Sequence, residues 1–163
     1  MKKTYFKLFA ALMLLSFSVS FVSCSGNDDD PIENIGSYDD LPSAAKTFLN
    51  QFFYGYSVVK VEKETYGNMV MYEVDLQGGY EVMFNNAGEW QEVSAPDGET
   101  IPDGIVPENV QETLNQRYPD YGVNEINKTS QGYNVDLMNM QGGDSIELRF
   151  NMAGEIIATG DYY

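Results

Sequence analysis

The 163-residue chain has no histidine and a single cysteine, Cys24. Without histidine, Ser-His-Asp and Cys-His catalysis are excluded, and so are histidine-based and cysteine-rich zinc sites. No G-x-x-x-x-G-K-[ST] or G-x-G-x-x-G element occurs; Gly78-Gly79 and Gly142-Gly143 follow alternating apolar segments and read as turn glycines. Acidic chemistry remains, with 25 Asp+Glu against 9 Lys+Arg. A two-acid hydrolase would draw on such residues. Asp75 and Asp136 are the pair to weigh, since they hold the same place in YEVDL (72–76) and YNVDL (133–137) and could face each other across a joined sheet. Duplication alone produces that symmetry, and charges belong first on a solvated face. No catalytic residue is assigned.

Carboxylates also bind hard cations. Asp97-Gly98-Glu99 and Asp103-Gly104 lie close together and would suit calcium, which takes carboxylate and carbonyl oxygens. The D-x-[DN]-x-[DN]-G spacing is absent, and the same residues make a good turn. No metal ligand is assigned, and calcium stays as the weaker reading.

Cys24 has a different use. Lys2, Lys3 and Lys7 precede an apolar run from Leu8 to about Val22, followed by Ser23 and Cys24. A basic head and an apolar run too short for a permanent span read as an export signal. Phe21-Val22-Ser23-Cys24 resembles the lipobox of bacterial prolipoproteins, with Phe21 where an aliphatic residue is usual. Residues 1–23 are therefore expected to be a lipoprotein signal peptide and Cys24 the lipid anchor; the competing reading is an unused thiol in an ordinarily cleaved signal. Three of the 9 Lys+Arg and none of the 25 Asp+Glu lie in that segment, so its removal takes the net charge from −16 to −19. Such a surface repels nucleic acid and anionic headgroups and suits a basic protein. Residues 24–39 lack an apolar period and read as a flexible acidic tether, in which Asp28, Asp29 and Asp30 either resemble the surface-export signals of some Gram-negative lipoproteins or form a solvated linker.

The elements behind these residues are duplicated. LPSAAKTFLNQFF (41–53) aligns with VPENVQETLNQRY (106–118), YEVDL with YNVDL, QGG (77–79) with QGG (141–143), and FNNAGE (84–89) with FNMAGE (150–155), at shifts of 61 to 66. The expected organisation is repeat 1 over 40–95, a linker over 96–105 and repeat 2 over 106–163. Leu41, Ala45, Leu49 and Phe52, with Phe48 beside them, fall at helical spacing, as do Val106, Val110, Leu114 and Tyr118. Val59 and Val61, then Tyr72, Val74 and Leu76, then Val82 and Phe84 alternate as strands do, matched later by Tyr133, Val135 and Leu137 and by Ile146, Leu148 and Phe150. The fold class is α+β: a tandem repeat of one helix plus a four-stranded antiparallel sheet, the sheets joined into one curved surface with the helices on one side.

Alternation puts the intervening residues on the open face. These are Met71, Glu73, Asp75, Glu81 and Met83, then Asn134, Asp136, Met138, Glu147 and Arg149. Methionine adapts its shape to a partner, and carboxylates select a basic rim. The competing reading is that the methionines are partly covered or merely tolerated. Tyr54, Tyr56, Tyr66, Trp90, Tyr162 and Tyr163 are of the type that anchors interfaces, and most of them are read as core or strand-edge packing.

The order of a Pro-started helix, a Val-rich strand, a Tyr-x-Val strand and a closing F-N-x-A-G-E hairpin resembles the PepSY-like, beta-lactamase-inhibitor-like (BLIP-like) domains of bacterial envelope proteins, over about residues 40–160. The resemblance implies helix-plus-sheet units and a protein-binding or inhibitory role, and it transfers no inhibitor contact residues. The expectation is a non-enzymatic, lipid-anchored envelope protein acting through its open sheet face on another extracytoplasmic protein. The alternative is a small-ligand or cation module. Its place would be the outer membrane, on the periplasmic or the outer side. Asp144-Ser145-Ile146 resembles a bacterial O-glycosylation motif, which makes Ser145 a candidate acceptor.

Overall fold

A computed structural model describes residues 34–162 except 67, 68 and 143, without the side chains of residues 34, 35, 66, 161 and 162. The signal peptide, Cys24 and most of the acidic tether lie outside the described residues.

The elements run β1 (Asn34–Gly36), α1 (Ser43–Phe52), β2 (Val58–Tyr66), β3 (Met69–Leu76), β4 (Glu81–Asn85), β5 (Trp90–Ser94), α2 (Glu108–Arg117), β6 (Tyr121–Lys128), β7 (Gly132–Asn139), β8 (Ser145–Asn151) and β9 (Ile156–Tyr162). All nine strands form one antiparallel sheet whose spatial order is the chain order. This overturns the expected tandem of helix-plus-four-stranded units. A strand precedes α1, and β5 is hydrogen-bonded directly to β6, with Val93 opposite Ile126. The expected joining of the sheets thus takes the form of one continuous nine-stranded sheet and not of two four-stranded units side by side. Pairing between β5 and β6 satisfies their facing backbone groups and fully buries Val93 and Ile126.

A single core runs the length of the sheet. Ala45 and Leu49 of α1 and Val110 and Leu114 of α2 pack into it with Tyr72, Val74, Leu76, Val82, Phe84, Val135, Leu137, Leu148 and Phe150. Each such aliphatic or aromatic side chain contributes about 1.5–3 kcal/mol by leaving water. Phe53, just past α1, is buried, whereas the expected Phe52 is only partly so. Pro42 and Pro107 each precede the first helical residue, where a missing N–H breaks no ladder.

The F-N-x-A-G-E segments close the β4–β5 and β8–β9 hairpins and dock onto the helix starts. Asn85 Oδ1 accepts from the N–H groups of Ala87 and Glu89 at 2.9 and 3.0 Å, and its Nδ2 donates to Glu89 Oε2 at 2.9 Å. Asn151 does the same with Ala153 and Glu155. Gly88 and Gly154 have φ of +80° and +79°, and a Cβ on either would come within 2.8 Å of Ala45 N or 2.7 Å of Asn109 O. Glycine is thus required there for conformation and for clearance.

Four register shifts each insert one residue, at Val59, Gln91, Asn124 and Ile157. Val59 is 69% exposed, so it does not share the core face with Val61; Val58 does, opposite Leu76. The bulge breaks the alternation that predicted otherwise.

Candidate functional site: an acidic sheet face

The helices and core occupy one face of the sheet, and the opposite face is crossed by two rows of polar side chains. Cross-strand register sets one row as Lys60, Asp75, Glu81, Ser94, Glu125, Asp136, Glu147 and Gly160. The next row is Glu62, Glu73, Met83, Glu92, Asn127, Asn134, Arg149 and Ala158. Directly opposed side chains in such a ladder are about 5 Å apart at Cβ, so neighbouring carboxylates repel. Eight carboxylates fall in these two rows. Lys60 pairs with Glu62 at 2.6 Å near one end, and Arg149 with Glu147 at 3.3 Å near the other.

The middle of the face is consequently hard to ionise. Burial pushes Glu92 up to about 8, with Glu125, Glu73, Glu81 and Asp136 adding repulsion. Burial likewise raises Glu73 to about 7, with Asp75 and Glu62 close by, and Asp136 to about 7, with Glu125 and Glu147 contributing. Asp75 and Glu125 are also shifted upward, chiefly by burial. Asn127 Nδ2 donates to Glu125 Oε1 at 3.4 Å, while its buried Oδ1 has no hydrogen-bond partner.

All ten residues read as the open face lie opposite the core. Glu73, Asp75, Glu81, Met83, Asn134, Asp136, Glu147 and Arg149 stand in the two central rows; Met71 stands beside Glu64 and Asn85, and Met138 beside Gly122 and Ser145. Glu62, Glu92, Glu125 and Asn127 were missed. Glu92-Val93 and Glu125-Ile126 carry the alternation that could have found them, but the extra residues Gln91 and Asn124 interrupt it. Asp75 and Asp136 do not face each other: four strand spacings, roughly 19 Å, separate them. They cannot act as an acid pair on one bond.

The Asp97, Glu99 and Asp103 segment forms exposed turns beside β6, where Asn124 Nδ2 lies 2.8 Å from Glu99 O and holds the segment in place. Among the described residues no three acidic side chains converge to hold a metal ion. A cleft of about 220 Å³ between this segment, α2 and β6 is lined by Thr100, Asp103, Gln111, Asn115, Tyr118 and Met140 and contains one carboxylate. Ser145 is exposed at the start of β8. Tyr54 is 87% exposed, whereas Tyr56 stacks edge-on against Tyr80 at 5.3 Å and Trp90 is partly buried under the Lys128 ammonium.

The beta-lactamase-inhibitor-like, PepSY-like family matches residues 70–158. The chain belongs to that family. Among solved structures, a protein described as periplasmic, of the DUF2874 family, from Bacteroides vulgatus is 27% identical with a TM-score of 0.70, over 83% of this chain and 99% of that one. A protein from Bacteroides thetaiotaomicron, described as calcium-regulated and periplasmic, is 25% identical with a TM-score of 0.67, over 77% of this chain and 94% of that one. A second Bacteroides vulgatus protein shares the fold at a TM-score of 0.68 and 24% identity, over 77% of this chain and 95% of that one. Among curated proteins none matches the chain. Neither the PepSY-like family nor these relatives name a reaction.

Proposed function

We propose that this PepSY-like protein is a non-enzymatic envelope module whose acidic sheet face binds the basic surface of another extracytoplasmic protein and occludes it. The observation that carries this reading is the pair of carboxylate rows on the face opposite the helices. Crowded, half-buried carboxylates lower the stability of the isolated fold, and an incoming ammonium or guanidinium group relieves both repulsion and forced protonation. Met83, between Glu73 and Glu92, and Met71 and Met138, outside the two rows, supply adaptable apolar contact. The periplasmic description of the relatives and the signal-like N-terminus support an envelope location. In this reading a lipid on Cys24 anchors the chain at the outer membrane, and residues 24–39 tether the sheet.

The test uses the chain from Ser25 onward, which keeps the whole core, and a blocked eight-residue peptide of alternating Lys and Thr as the basic probe. Asp75→Asn with Glu81→Gln and Glu147→Gln weakens binding at least tenfold at low salt. Neutralising Asp97, Glu99 and Asp103, which removes the same charge from the turns, changes it less than about twofold. Equal losses from both triples would reduce the effect to net charge and sink the reading.

A second reading, calcium binding, draws on the relative described as calcium-regulated and on the density of carboxylates. Millimolar calcium, the range of weak extracellular sites, would then raise the melting temperature. An unchanged melting curve removes it.

A further inference from the structure

β9 closes the sheet, and among the described residues its hydrogen-bonded strand neighbour is β8 alone. Its seven residues, IIATGDY, contain three β-branched side chains, a single charged residue, Asp161, in register with Ile146 of β8, and no Lys, Arg or Pro. Edge strands are ordinarily shielded by brevity, charge, proline or a bulge, since an unpaired ladder templates further pairing. The opposite edge, β1, counts three residues among the described ones. The bulge in β9 sits near its start, at Ile157, which is 54% exposed; from Ala158 to Tyr162 the register against β8 is regular.

The side chains of this edge are also suited to an added strand. On the open face Ala158 lies opposite Arg149 and Gly160 opposite Glu147. Both are small, and a Cβ added to Gly160 would come within 3.5 Å of Glu147 Oε2. A residue on a tenth strand, opposite Gly160, would stand two strand spacings, roughly 10 Å, from the β8 backbone. A lysine there can pass over Gly160 and bring its ammonium to the end of the acidic row, where it would share Glu147 with Arg149, 3.3 Å from it.

We propose that β9 accepts an extended, lysine-bearing segment of the partner as a tenth antiparallel strand, whose lysine crosses Gly160 to Glu147. The proposal rests on the reading of the face as a site for a basic protein and adds the backbone geometry of the contact. A net charge of −16 disfavours a second copy at this edge, because the acidic rows would meet.

The experiment compares the Lys/Thr peptide with a charge-matched version N-methylated at every backbone amide, on the chain from Ser25 onward. The unmethylated peptide binds at least tenfold more tightly and slows amide hydrogen exchange across Ala158–Tyr162. Equal affinity of the two peptides, or unchanged exchange in β9, overturns strand addition. If both peptides still lose affinity with the Asp75, Glu81 and Glu147 triple, the face reading survives that failure. If neither does, the face reading falls as well.

Discussion

Glu92 stands where the acidic face is most crowded, opposite Met83 and Asn127 and within the field of Glu125, Glu73, Glu81 and Asp136. Its folded-state pKa of about 8 lies above the ordinary 4.5, and Glu73 and Asp136, at about 7, are displaced the same way. Folding therefore takes up protons between those values. The contribution of these groups to stability is fully present below about 4.5 and is lost as the pH rises through about 7 to 8. The melting temperature of the chain from Ser25 onward should accordingly be higher at pH 5 than at pH 8.5. Glu92→Gln removes part of that slope, stabilising the protein at pH 8.5 by about 1 kcal/mol or more and having little effect at pH 5. Melting curves at the two pH values check this; a variant no more stable than the parent at pH 8.5 would show that Glu92 is ionised at no cost.

At the scale of elements, the two F-N-x-A-G-E hairpins tie the sheet to its helices through one asparagine and one glycine each. Gly154→Ala forces a Cβ to 2.7 Å from Asn109 O at a φ of +79° and should cost about 2 kcal/mol or more by denaturant unfolding. A loss under about 0.5 kcal/mol would mean that the turn can rearrange freely. These hairpins, the two helices and most strands were legible in the sequence, because apolar spacing at 3.6 or 2 residues reports which side of an element is buried. The bulges were not, because one inserted residue looks like ordinary strand sequence yet shifts everything after it to the other face. Val59 was misassigned for that reason, and Glu92 and Glu125 were missed. The tandem architecture failed differently. Similar segments show that the chain is duplicated, and the sheets were expected to join; what the spacing does not show is that Val93 and Ile126 pair edge to edge in one nine-stranded sheet over one core, with a further strand ahead of α1.

At the scale of the whole molecule, the shared core predicts one cooperative unfolding transition. Ile126→Ala, at the β5–β6 junction, should lower it as a unit by about 3 kcal/mol. Calorimetry resolving two transitions, one of them insensitive to the substitution, would contradict a continuous core. Proton uptake also couples stability to binding with opposite signs. A basic partner must displace protons from Glu73, Glu92 and Asp136, so affinity for the Lys/Thr peptide should rise severalfold from pH 5.5 to pH 8 while the free protein becomes less stable. Affinity that stays level or falls over that range would mean that these carboxylates are not at the contact. The most direct test locates the contact by NMR of the Asp and Glu side-chain carboxyl carbons while the peptide is added at pH 7. The predicted result is a shift confined to Glu62, Glu73, Asp75, Glu81, Glu92, Glu125, Asp136 and Glu147; shifts at Asp97, Glu99 and Asp103, with those eight unmoved, would contradict the acidic sheet face as the binding surface.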